Sequence, residues 1–325
     1  MSARNTYPLD QSQLYLLASR RRLAQEVFNL ELPFVERLAE NGDESFRVFD
    51  VVQGDKKRQV ETPKPILERL HRRLFALLER IEKPSYLHSG VKGLSYITNA
   101  KVHRGQVPLV KLDLKKFYPS VKSARVYRFF HETMRCSPDV AGLLSKLTTY
   151  DGHLPTGSCV SQLLAYFAAR PMFDELHKLA IDHDVRFSIY VDDLTFSGER
   201  ATPSFLWAAK QVVHSHGFGY HKDRCYAASD QKVVTGVMID GDRIAVLPSR
   251  EHEMWRQMRA LGSGDLEQRR AAINSLIGTV VAAGQIEARL LIRLRRLRAL
   301  RSSIDREFKS QNASPMSTQP APEPR

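Results

Sequence analysis

The chain has 325 residues, 42% of them hydrophobic, and a formal charge of +13 from 49 Lys and Arg against 36 Asp and Glu. That length and apolar content support one large core or two or three sub-domains, which excludes a tail or a linker. The basic excess favours polyanionic partners, with nucleic acid the commonest. No apolar run approaches the roughly 20 residues of a spanning helix, and "MSARNTYPLDQSQ" lacks the apolar core of a signal peptide. Cys136, Cys159 and Cys225 are too few and scattered for a zinc site or a disulfide framework. A cytoplasmic protein without a membrane partner is expected.

Taken in chain order, "QLYLLASRRRLAQEVFNL" has helical spacing and carries the cluster Arg20, Arg21, Arg22, a solvated helix face or an RNA contact. "FRVFDVVQGDKKRQVETP" reads as a β-hairpin turning at Gly54-Asp55, with Lys56, Lys57 and Arg58 at its tip. A helix follows from Lys64 to about Lys83 through Leu67, Leu70, Leu74 and Leu78. In "VPLVKLDLKKFYPSV" alternation puts Leu109, Lys111 and Asp113 on one strand face and Val110, Leu112 and Leu114 on the other. Pro119 and Ser120 break that strand, and Ser123 is the expected N-cap of a helix through Arg135.

A Gly-containing loop then leads into a helix at 154–168, and "FSIYVDDLTFSG" follows as strand, turn, strand with its turn on Asp192-Asp193. Helices are expected around Phe205 to His214 and beyond 249, with "QKVVTGVMIDGDRIAV" between them as a hairpin turning at Asp240-Gly241. The last helix aligns Leu290, Leu294, Leu297, Leu300, Ile304 and Phe308, flanked by Arg289, Arg293 and Arg296. The stripe suits a structural amphipathic helix, and the charge favours phosphate contacts. The ending "SQNASPMSTQPAPEPR" has the composition of a disordered tail.

Asn-Gly or Asp-Gly would make an easier turn than Asp192-Asp193. Two adjacent carboxylates repel by about 1 kcal/mol in water and about 4 at the effective dielectric of a partly buried site. A hard divalent cation removes that repulsion, and two such ions a few Å apart clamp the attacking and leaving oxygens of a phosphoryl transfer. Asp113 at the end of its strand supplies a third carboxylate. Two exposed turn aspartates and an unrelated strand-end aspartate would be the ordinary alternative.

The surrounding motifs weigh against that alternative, because together they resemble a bacterial retron-type reverse transcriptase. "YVDD", Tyr190 to Asp193, is similar to the Y-x-D-D box, and "LDLKKFYPSV", Leu112 to Val121, to the box bearing the first metal-binding aspartate. "LPTGSCVSQ", Leu154 to Gln162, resembles the L-P-x-G loop that lies against the incoming nucleotide. "NAKVH", Asn99 to His103, and "VTG", Val234 to Gly236, fit the two signatures of retron enzymes, and "HSGVKGLSYITNA" resembles the run into the first catalytic strand. The likeness spans roughly residues 45 to 240.

The resemblance implies an α+β right-hand polymerase fold: fingers, a palm with an antiparallel sheet, and a helical thumb. The expected divisions are 1–40 N-terminal helices, 41–240 fingers and palm, 241–309 an RNA-binding thumb and 310–325 a disordered tail. It implies that Asp113, Asp192 and Asp193 are the catalytic metal-binding carboxylates, with Leu114 adding a backbone carbonyl, for two Mg²⁺ ions or Mn²⁺ in their place. Lys57 and Arg58, and in the loop Thr156 and Gly157, would contact the incoming deoxynucleoside triphosphate, and Tyr118 would exclude a ribose 2′-OH. Asn99, His103, Val234, Thr235, Gly236, Arg289, Arg293 and Arg296 would serve RNA or primer binding, Asn99 and His103 either by contact or as scaffold.

Template and primer would be a dedicated structured non-coding RNA, copied into RNA-linked single-stranded DNA from an internal guanosine 2′-OH. An effector protein and antiphage defence complete what the resemblance implies. Thr156 stands where many reverse transcriptases have Gln, and Gln162 where many have Pro. Arg224 replaces the usual lysine of a later motif, leaving Lys222 or solvent to protonate pyrophosphate. The competing readings are an abortive-infection or intron-type reverse transcriptase, disfavoured by the absence of a maturase or endonuclease extension, and a catalytically silent RNA-binding palm.

Overall fold

The structure, a computed structural model, describes residues 6–312 apart from 54, 55 and 263. The chain divides into two compact units, Met1–Thr235 and Gly236–Arg325.

In the first unit helix α1, Arg20–Arg22, runs on with wider π-type turns over Leu23–Phe28. The sequence pattern places helix from Gln13, but the helix starts only at Arg20 because Ser19 is extended and its hydroxyl accepts from the Arg22 N–H, an N-cap. Helix α2 spans Leu32–Glu40. Strands β1, Phe46–Gln53, and β2, Lys56–Pro63, pair antiparallel from Phe46↔Pro63 to Gln53↔Lys56; the expected turn at Gly54-Asp55 lies outside the described residues. Helix α3, Pro65–Leu78, stops short of Lys83, whose Nζ folds back to the carbonyls of Leu78, Glu79 and Ile81.

Helix α4, Tyr96–Val102, opens on a capping box of Ser95 and Thr98. Strand β3, Leu109–Leu114, is followed by the short helices α5, Phe117–Ser120, and α6, Ser123–Arg128. Ser123 is not the N-cap: Lys122 holds that position without a side-chain bond, and π-type turns prolong α6 through Phe129–Thr133. Helix α7 is Pro138–Thr148, and α8 is Ser161–Asp182. Strands β4, Arg186–Tyr190, and β5, Asp193–Ser197, precede helix α9, Pro203–Ser215, strand β6, Tyr220–Tyr226, and strand β7, Lys232–Val234.

A four-stranded antiparallel sheet in the order β4-β5-β3-β6 is the frame of this unit. Val110, Leu112 and Leu114 of β3 and Leu194 and Phe196 of β5 are fully buried in one core with Leu163, Leu164, Met172 and Phe173 of α8.

The second unit has its own core, which includes Met254, Ile273, Leu276, Val280, Leu290, Leu297 and Ile304. Strands β8, Val237–Asp240, and β9, Arg243–Val246, form its hairpin, where Asp240↔Arg243 puts the turn on Gly241-Asp242, one residue later than expected. Helices α10, Pro248–Ala260, α11, Leu266–Gly284, and α12, Leu294–Asn312, follow, with a 3-10 turn at Ala288–Arg293 before the last. The apolar stripe is narrower than its spacing suggests, since Leu300 is exposed and Phe308 half-buried. The helix includes residues 310–312 of the expected tail; 313–325 lie outside the described residues. Helices packed with antiparallel sheets make this an α+β fold.

Candidate active site

Strand β3 crosses the middle of the sheet with its apolar face inward, which leaves Lys111 and Asp113 half-buried on the opposite face. In register, Asp113 lies opposite Asp193 of β5 and opposite Lys222 of β6. Directly opposed residues share a face, so the two carboxylates and Lys222 emerge together. Asp192 is fixed beside them through its carbonyl, which accepts from the Leu114 N–H at 3.0 Å.

The hairpin between β4 and β5 corrects one expectation. Tyr190 pairs with Asp193, so the turn residues are Val191 and Asp192, and Asp193 opens a strand. Val191 takes φ +60, a conformation that a β-branched side chain resists by about 1–3 kcal/mol. Its N–H donates to Ser89 Oγ at 2.9 Å, which anchors the strained residue from outside the sheet.

Burial, followed by the Asp113 charge, pushes Asp192 up to about 6. Asp113 is also raised, chiefly by burial, with Asp193 adding to the effect while His221 and Lys222 oppose it. Asp113 Oδ1 is buried without a hydrogen bond, although His221 Nδ1 stands 3.5 Å away. Lys111 Nζ lies 3.4 Å from Asp193 Oδ1. Burial and the Asp192 charge push the half-buried Tyr118 hydroxyl up to about 12, which keeps it neutral beside the carboxylates.

Three carboxylates, an orphaned buried oxygen, and pKa values of Asp113 and Asp192 raised first by burial and then by neighbouring carboxylates fit a hard divalent cation. Among the described residues, no group of three or more His, Cys, Asp or Glu side chains is placed to hold a metal ion as it stands. The aspartates therefore form a negative rim and not a closed cage. A bound cation supplies the attraction that such a rim needs in order to close.

The loop at Leu154 to Gly157 packs against β2. Thr156 donates its N–H and its hydroxyl to Glu61 Oε2, at 2.9 and 2.8 Å, and the Gly157 N–H donates to the Glu61 carbonyl at 3.0 Å. A Cβ on Gly157 would lie 2.5 Å from Thr62 Oγ1 and 2.7 Å from the Glu61 carbonyl, so the close approach glycine permits here is to a strand. Lys57 pairs with Asp50 at 2.9 Å on the surface, and Arg58 is exposed.

Asn99 and His103 have no exposed surface. His103 bridges Ser197 Oγ at 2.8 Å and Ser188 Oγ at 2.6 Å, fastening the C-terminal end of α4 to β5 and β4. Neither amide atom of Asn99 has a hydrogen-bond partner, a costly state for a buried group. Val234 is buried, and Thr235 and Gly236 occupy a turn with φ +46 and +78 where a strand was expected. Thr235 Oγ1 donates to the Tyr96 carbonyl at 2.8 Å, so the Asn99 helix and the Val234-Thr235-Gly236 turn are neighbours. In the second unit Arg289 is engaged by Glu251 and Glu287 at 2.6 and 2.5 Å, while Arg293 and Arg296 are exposed.

Lys222 holds the register position across from Asp113, whereas the Arg224 guanidinium lies over the Tyr226 ring, 4.7 Å from its centroid. Sequence reasoning passed over His221, Ser89 and Glu61. The signals were small: a histidine next to Lys222, a serine in the approach "HSGVKGLSYITNA", and an acidic residue on a strand that opens with three basic ones.

The fold and the carboxylate rim define a candidate metal-dependent phosphoryl-transfer site. Among curated proteins the chain is similar to retron reverse transcriptases. It is 31% identical over 163 residues to the Retron Se72 reverse transcriptase of Salmonella heidelberg, covering 48% of this chain and 42% of that protein. It is 30% identical over 266 residues to the Retron Mx65 reverse transcriptase of Myxococcus xanthus, covering 74% and 62%. To the Retron Ec86 reverse transcriptase of Escherichia coli it is 24% identical over 191 residues, covering 57% of each chain. The chain spans about half the length of the curated relatives it matches. No protein-family model matches it. These similarities support a retron-type reverse transcriptase.

Proposed function

We propose that the chain is an RNA-directed DNA polymerase in which β3, β5 and β6 form the palm, the β1–β2 hairpin the fingers and the second unit the thumb. The observation that carries this reading is the register of Asp113 opposite Asp193, with Asp192 tied to Leu114 beside them. Asp113, Asp192, Asp193 and the Leu114 carbonyl would hold two Mg²⁺ ions, or Mn²⁺. Ions held there would supply positive charge for the attacking and leaving oxygens of nucleotidyl transfer, in which a hydroxyl bonds to the α-phosphate of a deoxynucleotide and the bond to pyrophosphate breaks. Arg58 would offer a planar fork to the triphosphate, and Lys222 or solvent would give a proton to the departing pyrophosphate.

Tyr118 stands near the Asp192 carboxylate and presents a ring where a 2′-OH would need room and a polar partner. Tyr118→Ala should raise ribonucleotide incorporation relative to deoxynucleotide by about 10²-fold in single-nucleotide extension. Unchanged sugar discrimination would remove the ring as the gate. Metal binding also has a reading independent of catalysis. Mg²⁺ should raise the thermal midpoint of the apoprotein at pH 7.5, and less at pH 5.5, because Asp192, with its pKa raised to about 6, takes up a proton that competes with the ion. Asp113→Asn should abolish the difference.

Template and primer are, in this reading, a structured non-coding RNA gripped by shape, and the product is RNA-linked single-stranded DNA made in the cytoplasm for antiphage defence with an effector protein. No helix among the described residues is long and apolar enough to cross a membrane. The test is to express the chain with its flanking genomic sequence and to sequence the nucleic acid that co-purifies. DNA joined to RNA through a branch that resists RNase while the flanking RNA is removed is expected; free DNA, or RNA alone, would point to another kind of reverse transcriptase or to a silent palm.

A further inference from the structure

We propose that Glu61 and Thr156 form a clasp that makes the β1–β2 hairpin and the 154–157 loop one nucleotide-positioning body, with Thr156 acting through Glu61 and not by touching the nucleotide. The proposal rests on the polymerase reading for its consequence, but its geometry stands alone.

Glu61 is only 4% exposed on a strand whose residues Lys57, Arg58 and Gln59 are all exposed. Among the described residues it has no ion-pair partner. Its charge is instead met by the N–H and hydroxyl of Thr156, both on Oε2. The Gln59 carbonyl, 3.2 Å from the same hydroxyl, is the second-best acceptor and lies on the same strand. Charge-assisted hydrogen bonds of this kind are stronger and more directional than neutral ones.

Two further contacts close the clasp independently. The Gly157 N–H binds the Glu61 carbonyl, and the backbones approach so closely that a Cβ at 157 would overlap three residues of β2. Below, Ser158 Oγ meets His71 Nδ1 at 2.7 Å, and His71 Nε2 donates to the Leu147 carbonyl at 2.7 Å. The burial of His71 pushes it down to about 4, so a neutral ring serves both bonds. Residues 156 and 157 are thus held from β2, and residue 158 from His71 of α3. Arg58 is three residues from Glu61, about 10 Å along the strand, so a shift of the clasp is passed directly to the triphosphate contact. The residue that replaces the family's Gln uses its only hydroxyl to brace the hairpin.

Two measurements test this. Hydrogen exchange on the purified chain should show the amides of 156–157 and 56–63 exchanging faster in Glu61→Ala and Thr156→Val, with those of β3 and β5 unchanged. Steady-state extension should show KM for the deoxynucleotide rising about tenfold in Glu61→Ala and about threefold in Thr156→Val. Little change in kcat or in RNA affinity is expected, and Thr156→Ser, which keeps the hydroxyl, should restore KM. Glu61→Gln, nearly isosteric, gives an intermediate KM and covers the case in which Glu61→Ala does not fold. Unchanged exchange, or Thr156→Ser as impaired as Thr156→Val, would overturn the clasp. A wild type that incorporates no deoxynucleotide would overturn the polymerase reading, while the exchange measurement would still decide the clasp.

Discussion

Replacing Asp192 and Asp193 together with Asn is expected to reduce DNA synthesis by at least about 10³-fold, roughly 4 kcal/mol of transition-state stabilisation. RNA affinity, measured by filter binding, should stay within about twofold. The two properties separate because these carboxylates neutralise charge only where metal and phosphate meet, whereas binding of RNA depends on the basic excess of the chain. Asn keeps the volume of the half-buried side chains and removes repulsion from a site where Asp192 is pushed up to about 6. The double variant should therefore be at least as stable as the parent. Equal DNA yield would remove the metal assignment, and parallel loss of RNA affinity would mean that the substitutions had damaged the fold.

The largest effect on stability is expected at His103. Its ring is fully buried and bridges hydroxyls on two strands, so His103→Ala leaves a cavity and two buried serine hydroxyls without their partner. Losses of this kind amount to about 3–5 kcal/mol. For a unit of this size that lowers the thermal midpoint by roughly 10 °C. Burial, then the charge of Arg186, pushes His103 down to about 3, so the folded ring stays neutral. The unfolded chain binds the proton near pH 6.5, and stability present above that value is lost as the pH falls towards 3. His71, lowered to about 4, acts in the same direction. Thermal midpoints at pH 7.5 and 5.5 should therefore differ less in His103→Gln than in the parent; equal differences would exclude a neutral structural histidine.

Much of the sheet was legible because burial on one face imposes alternation. In "VPLVKLDL" the apolar set is the set the core covers, and Asp113 falls on the open face as the alternation requires. The turn at the aspartates was misplaced by one residue for a physical reason: local propensity does not choose a valine at φ +60. Register with Asp113 and the Ser89 anchor choose it. The fate of His103 was equally hidden, since a histidine in a short polar motif looks the same whether it faces RNA or a core. Ser188 between Phe187 and Ile189, and Ser197 after Phe196, were the available sign that something had to reach them. Thr156 was read as a nucleotide contact and as a departure from Gln but not as a partner of Glu61, which lies 95 residues away. Helix ends at Leu78 and Ser19 depended on side chains folding back onto backbone, which periodicity does not register.

The central claim is that this chain copies RNA into DNA at the Asp113, Asp192 and Asp193 rim. It is tested most directly by adding the purified protein, freed of bound nucleic acid, to an RNA template carrying a short primer, with Mg²⁺ and labelled dTTP or UTP. Template-dependent incorporation of dTTP in preference to UTP is expected, abolished by chelation and by Asp113→Asn. No incorporation by the parent chain, or incorporation that survives Asp113→Asn, would contradict it.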